Sequence, residues 1–142
     1  MGKKRIVKKS DSDKEVSKSN SSSISKRHLE NGIFYVNSTY NNTLVSLTDP
    51  KGNIICASSS GALGFSGTKK GTPFAAAKAG ELIGSKAQLM GMKEALVIVK
   101  GIGAGRESAI RSFAGKGINI SEIRDITPVA FNGPKPKKPR RV

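Results

Sequence analysis

Apolar residues recur at neither a period of 2 nor one of 3.6 in the first 29 positions of the chain, where Lys and Ser dominate. From Gly32 the pattern changes. Ile33-Phe34-Tyr35-Val36 predicts a strand, Tyr40-Asn41-Asn42 a turn, and Thr43 to Thr48 a second strand. The Asn pair suits a tight hairpin because Asn tolerates positive φ. Asp49-Pro50-Lys51-Gly52 predicts a further turn and Asn53 to Ser58 a third strand. Three strands joined by short turns make an antiparallel meander.

Residues 59–71 form a loop of glycines, hydroxyls and two adjacent lysines, longer than a connector in so small a domain needs. Thr72-Pro73 then opens a helix, with Thr72 as N-cap and Pro73 at the first helical position. Its spacing places Ala76, Gly80, Ile83, Ala87 and Met90 on one face, with Lys78, Glu81, Ser85 and Gln88 opposite. Gly91 ends it. Ala95 to Val99 is continuously apolar, which predicts an interior parallel strand covered on both faces. A glycine-rich stretch follows, then a short helix with Ile110, Phe113 and Ala114 inward, ended by Gly115 and Gly117. The alternation of the last strand, Ile118 to Ile126, slips between Ile120 and Ile123, which predicts a bulge. The order β-β-β-α-β-α-β gives an α/β fold with a five-stranded mixed sheet and helices packed on it.

At 142 residues the chain holds one such domain with appendages, and the boundaries fall at 1–29, 30–131 and 132–142. The first segment is a basic, Ser/Lys-rich extension expected to be disordered in isolation. The last is a basic tail in which Pro134, Pro136 and Pro139 keep the chain extended. The longest apolar run, Ala95 to Val99, is far short of the ~18 residues a membrane-spanning helix needs. The start of the chain shows no apolar signal core, which argues against secretion. Cys56 and His28 each stand alone, so neither a disulfide nor a multi-thiolate metal site is expected, and His28 reads as a surface or RNA-facing residue. No cofactor is implied.

Charge sharpens the picture. Lys and Arg number 25 against 10 Asp and Glu, a formal net charge of +15. Such an excess points to a polyanionic partner, nucleic acid first. The last eleven residues, Asn132 to Val142, explain part of this: Lys135, Lys137, Lys138, Arg140 and Arg141 have no acidic neighbour in the tail. Gly101-x-Gly103-x-Gly105-Arg106-Glu107-Ser108 lies between a strand and a helix, where glycine N–H groups and the helix N-terminus could cradle a phosphate aided by Arg106 and Arg111. The same glycines could simply make a tight turn. A nucleotide pocket is a third reading, although the spacing is not G-x-G-x-x-G. In the earlier loop Lys69 and Lys70, beside Ser66, Thr68 and Thr72, offer partners for phosphate and 2′-hydroxyl groups. Phe65 either stacks on an unpaired base or pins the loop to the core. Asn41 and Asn42 either recognise RNA or serve the hairpin alone. The acidic residues form no close pair of the kind acid/base chemistry requires, so an enzyme is not expected. A DNA-compacting protein would explain the charge but not the glycine loops.

Five separated segments then resemble one family. They are Tyr40 to Thr43, Gly64 to Ala76, Lys100 to Ser108, Asp125 to Val129, and Asn132-Gly133 with Lys137 to Val142. Together they are similar to small-subunit ribosomal protein eleven of the bacterial and organellar type. The chain departs from the family pattern at Ile102 and Ala104, which stand in place of proline. The resemblance implies a ribonuclease H-like topology without that enzyme's carboxylates, and a non-catalytic role bridging small-subunit rRNA helices. It further implies a place on the subunit platform, bordering the messenger exit path and the Shine–Dalgarno cleft, on bacterial or organellar ribosomes. The implied neighbours are small-subunit proteins seven and eighteen, with initiation factor three and messenger RNA nearby. The candidate rRNA-binding residues are Asn41, Asn42, Lys69, Lys70, Thr72, Arg106, Ser108 and Arg111 in the domain, and Lys135, Lys137, Lys138, Arg140 and Arg141 in the tail.

Overall fold

A computed structural model describes residues 28–141. The N-terminal extension up to Arg27, expected to be disordered in isolation, lies outside the described residues. The elements are β1 (Asn31–Ser38), β2 (Thr43–Thr48), β3 (Ile54–Ser59), α1 (Pro73–Leu89), β4 (Glu94–Gly101), α2 (Gly105–Ala114) and β5 (Asn119–Asp125). They form one mixed sheet in the order β3-β2-β1-β4-β5. β2 is antiparallel to β1 and β3, while β1, β4 and β5 run parallel to one another. Leu29, assigned by the sequence to the extension, packs against the core, and its N–H donates to the Met90 carbonyl.

Alternation decides which face is buried. Phe34 and Val36 of β1 pair with Leu47 and Val45 of β2 and with Val97 and Val99 of β4, and all six side chains are buried. Both helices lie over this face, α1 above β2 and β3 and α2 above β1 and β4. The Phe34 and Phe113 rings stack 4.0 Å apart and join β1 to α2. Among the described residues the opposite face carries no helix. β4 is therefore interior in the sheet but covered on one side, a correction to the two-sided burial its apolar run predicts. Leu96 and Ile98 on the open face are half-buried, and Ile98 shares a shallow groove with Tyr35, Ile54 and Ile126. Mutual shielding among these side chains stands in for a second helical layer.

Helix α1 is built for close approach. Ala76, Gly80, Ile83 and Ala87 are buried as their spacing predicts, and so are Ala75, Ala79 and Gly84. The wider buried arc follows from packing on two partners, the sheet and α2. A Cβ at Gly80 would overlap the Ala109 carbonyl oxygen, and one at Gly84 would come within 2.8 Å of the Lys116 side chain. This crossing adds Ala109 to the inward face of α2: Phe113 is buried as expected and Ile110 packs half-buried against the core, while Ala114 is half-buried. Glu81 joins the helices from outside, accepting from Lys116 at 2.9 Å and Lys78 at 3.2 Å. Those hydrogen bonds, Lys116 foremost, hold its carboxyl below the usual range. Gly80→Ala is expected to lower the melting temperature, because overpacking at ~1–3 kcal/mol outweighs the ~1 kcal/mol that alanine gains in helix propensity. Thermal unfolding followed by circular dichroism checks this; a raised melting temperature would show that the helices separate freely.

Two local expectations meet different outcomes. The bulge in β5 is present: the pairing steps from Ala95–Ile120 to Leu96–Glu122, leaving Ser121 as the extra residue. The β1–β2 turn does not use positive φ at Asn41 or Asn42; among the described residues the non-glycine with positive φ is Asn132. Thr39 closes the turn instead. Its N–H donates to the Asn42 carbonyl at 2.8 Å and its hydroxyl accepts from the Asn42 N–H at 3.1 Å. Cys56 is buried in the core, and desolvation raises its thiol pKa.

Candidate nucleic-acid interface

The strand directions bring distant parts of the sequence to one end of the sheet. Ser38 of β1 pairs with Gly101 of β4, and Val99 pairs with Asp125 of β5, so three strands finish together. Ser60, just after β3, donates its N–H to the Thr43 carbonyl at the same end. The first residues of α1 and α2 arrive there too. A Cβ at Gly71 would overlap the Tyr40 carbonyl, and one at Gly105 would lie 2.6 Å from the Ala76 Cβ. The carboxyl ends of the strands in α/β folds are where ligands usually gather. Here that end collects Asn41, Asn42, Lys69, Lys70, Thr72, Arg106 and the root of the tail.

The cations differ in how free they are. Lys69 and Lys70 lie in a 3₁₀ turn over Gly67–Gly71, and Lys100 closes β4. None of the three forms an ion pair with a described carboxylate, whereas Glu30, Glu81, Glu107, Glu122 and Asp125 are all paired elsewhere. Glu30, Asp49 and Glu94 sit toward the opposite end of the sheet, flanking the start of β1, the end of β2 and the start of β4. The domain is thus electrostatically lopsided before the tail adds its five cations. Residues 135, 137, 138, 140 and 141 are exposed and follow no regular structure.

Other candidates are already engaged. Thr72 caps α1, its hydroxyl accepting from the Ala75 N–H at 3.4 Å and donating to the Lys69 carbonyl at 2.7 Å. Asn42 Oδ1 accepts from the Thr43 N–H at 3.0 Å, while Asn41 is exposed at the turn. Ser108 lies half-buried in the first turns of α2, and Arg111, farther along that helix, is exposed and paired with Glu107. Phe65 meets the Phe74 ring edge-on at 5.9 Å, which pins the long loop to α1. His28 is exposed beside Gly91, away from this end.

The Gly101–Gly105 stretch is packed against protein. A Cβ at Gly101 would overlap the Ser38 carbonyl, and one at Gly103 the Thr39 carbonyl. The Gly103 N–H donates to the Ser38 carbonyl at 3.0 Å, and the Gly101 N–H to Thr127 Oγ at 3.1 Å. Two glycine N–H groups that a phosphate cradle would use are therefore spent inside the domain, and the tight-turn reading accounts for these glycines. Arg106 is spent as well: one terminal nitrogen donates to the Gly101 carbonyl at 2.7 Å and the other to Asp125. Sequence reasoning missed Lys100, Asp125 and Thr127. Lys100 was legible from its place beside the glycine motif; the other two act through a contact between strands that no spacing records.

Asp125 Oδ1 also accepts from the Thr127 hydroxyl at 2.6 Å and the Thr127 N–H at 2.9 Å. The hydroxyl foremost, then the N–H and Arg106, lower its pKa from 3.8 to about 2. A carboxyl depressed on folding contributes stability that is complete above its unfolded pKa and is lost as pH falls through the folded one. The contacts around Asp125 are therefore expected to persist at pH 3.8 and to release near pH 2. A carboxyl carbon shift titrating near the ordinary value would show that they are open in solution.

A small basic α/β domain with unpaired lysines gathered at one end and an extended cationic tail beside them defines a protein that lies against a polyanion. The sequence model described as Ribosomal protein S11 matches residues 32–141, and the chain belongs to that family. It is accordingly a structural protein of the small ribosomal subunit that binds rRNA and sits in the ribosome among other ribosomal proteins.

Proposed function

We propose that the chain bridges small-subunit rRNA helices on the subunit platform, bordering the messenger exit path and the Shine–Dalgarno cleft. Its neighbours in this reading are small-subunit proteins seven and eighteen, with initiation factor three and messenger RNA close by. The observation that carries the reading is the convergence of Lys69, Lys70 and Lys100, without carboxylate partners among the described residues, on the end of the sheet from which the tail departs. Lys69, Lys70 and the tail cations Lys135, Lys137, Lys138, Arg140 and Arg141 contact phosphates. Asn41 is placed to reach a sugar or base edge from the turn. Phosphate contacts fix position without reading sequence, so recognition is by the shape of a folded junction. The role is non-catalytic.

A photo-reactive residue at position 69 or 137, in chains assembled into small subunits, tests the placement. Cross-links to platform rRNA from both positions are expected. Cross-links confined to rRNA of the head or body would overturn the proposal.

A further inference from the structure

The chain leaves the sheet at Thr127 on its way to the basic tail, and the groups around that point form a closed ring of hydrogen bonds. Thr127 Oγ accepts from the Gly101 N–H and donates to Asp125. The other oxygen of Asp125 accepts from Arg106, and Arg106 returns to the Gly101 carbonyl. Both backbone polar groups of Gly101 are thus satisfied by side chains, the N–H by Thr127 at the tail root and the carbonyl by Arg106 of α2, with Asp125 of β5 linking those two side chains. Just before this ring, the Ile126 N–H donates to the Val99 carbonyl at 2.9 Å. Among the described residues no hydrogen bond ties residues 128–141 back to the domain. The ring is the last fixed point of the chain.

We propose that Arg106, Asp125 and Thr127 are positioning residues that aim the C-terminal basic tail, holding its root and leaving the contact with RNA to the cations beyond. The inference rests on the reading of the tail as a phosphate-contacting segment. Three physical arguments support it. A carboxylate at the cationic end of an RNA-binding domain repels phosphate, so Asp125 opposes binding unless it has a structural task there. Its partner Arg106 is neutralised by the pairing and contributes little attraction of its own. Pro128 fixes φ directly after the ring and so sets the direction in which the chain departs; the bend at Phe131–Asn132 then turns it before Pro134, Pro136 and Pro139 favour extended chain at ~3.1 Å per residue. Lys135 lies eight residues beyond Thr127, past a bend at Phe131–Asn132 where Asn132 has φ +54°, so about 25 Å is the upper limit of its reach and a swing of about 20° at the root moves it by at most about 9 Å.

The test is a double-mutant comparison in the full chain. Thr127→Val, Asp125→Asn and Arg106→Lys are each made with and without residues 133–142 and titrated with a transcript of small-subunit rRNA over a salt series. Tail deletion removes five cations and should make the salt slope shallower by about 3.5–4.5. In the full chain each substitution is expected to weaken binding about five- to tenfold and to flatten the slope by about 1–2. In the tail-deleted chain the same substitutions should leave affinity unchanged within about twofold. Asp125→Asn gives the sharpest sign, because removing a negative charge would by itself strengthen RNA binding. Circular dichroism and melting identify any variant that fails to fold, and Thr127→Val, which trades a hydroxyl for a methyl of similar size, keeps the comparison valid if another does. Equal losses with and without the tail would overturn the positioning role while leaving the tail reading intact. An unchanged affinity and slope on tail deletion alone would overturn the tail reading, and this proposal with it.

Discussion

Replacing Gly101 with alanine is expected to lower folding stability by about 3 kcal/mol or more, the sum of overpacking and left-handed strain. Gly101 has φ +99°, a conformation that L side chains rarely adopt, and a Cβ there would run into the Ser38 carbonyl of the neighbouring strand. That carbonyl cannot retreat cheaply, because it accepts the Gly103 N–H at 3.0 Å. Gly52 supplies the control. Its φ of +92° is similar, yet nothing lies within 4 Å of a Cβ placed on it. Gly52→Ala should therefore show the strain alone, about 1–2 kcal/mol. Urea unfolding of the two variants separates the contributions. Equal losses would mean that the end of β4 yields without cost and that the close packing against β1 is not what makes glycine necessary.

Binding of the whole chain to small-subunit rRNA is expected to fall about 10³–10⁵-fold between about 50 and 200 mM salt, the response to neutralising roughly 6–10 phosphates. The three unpaired lysines at the strand-carboxyl end and the five tail cations fall within that range. Removing residues 133–142 should weaken binding to every RNA tested more than it changes their ranking, since these contacts carry charge and not base readout. Filter binding or anisotropy across a salt series measures both effects. A flat response would show that the cations at this end are not the source of affinity.

Much of this arrangement is written in local patterns. The Thr72-Pro73 cap, the small-residue face of α1, the three meander strands and the slip in β5 each follow from a few neighbouring residues, and each is present. The open sheet face is not legible in the same way. An uninterrupted run such as Ala95 to Val99 fits two-sided cover by helices, but it fits equally a face whose apolar side chains shelter one another. Ala109 joins the inward face of α2 beside Phe113 because its carbonyl meets Gly80, a contact between helices that periodicity within one helix cannot register. Arg106 shows the same limit at the site. Beside glycines at a helix start it reads as a phosphate ligand, yet Asp125, nineteen positions later in the chain, reaches it first. The lysines that remain unpaired were legible as charges, and their freedom was not.

The cationic end of the sheet also has a consequence for how the protein is made. It is assembled from the β1–β2 turn, the loop before α1, the close of β4 and the root of the tail, stretches spread over some ninety positions of the chain. No shorter fragment presents them side by side. β5 and the tail follow the other elements along the chain, and until β5 docks in parallel on β4 the tail has no fixed root. Before that docking the tail's charge is present without its geometry, so placing the tail cations beside Lys69, Lys70 and Lys100 depends on completed folding of the sheet.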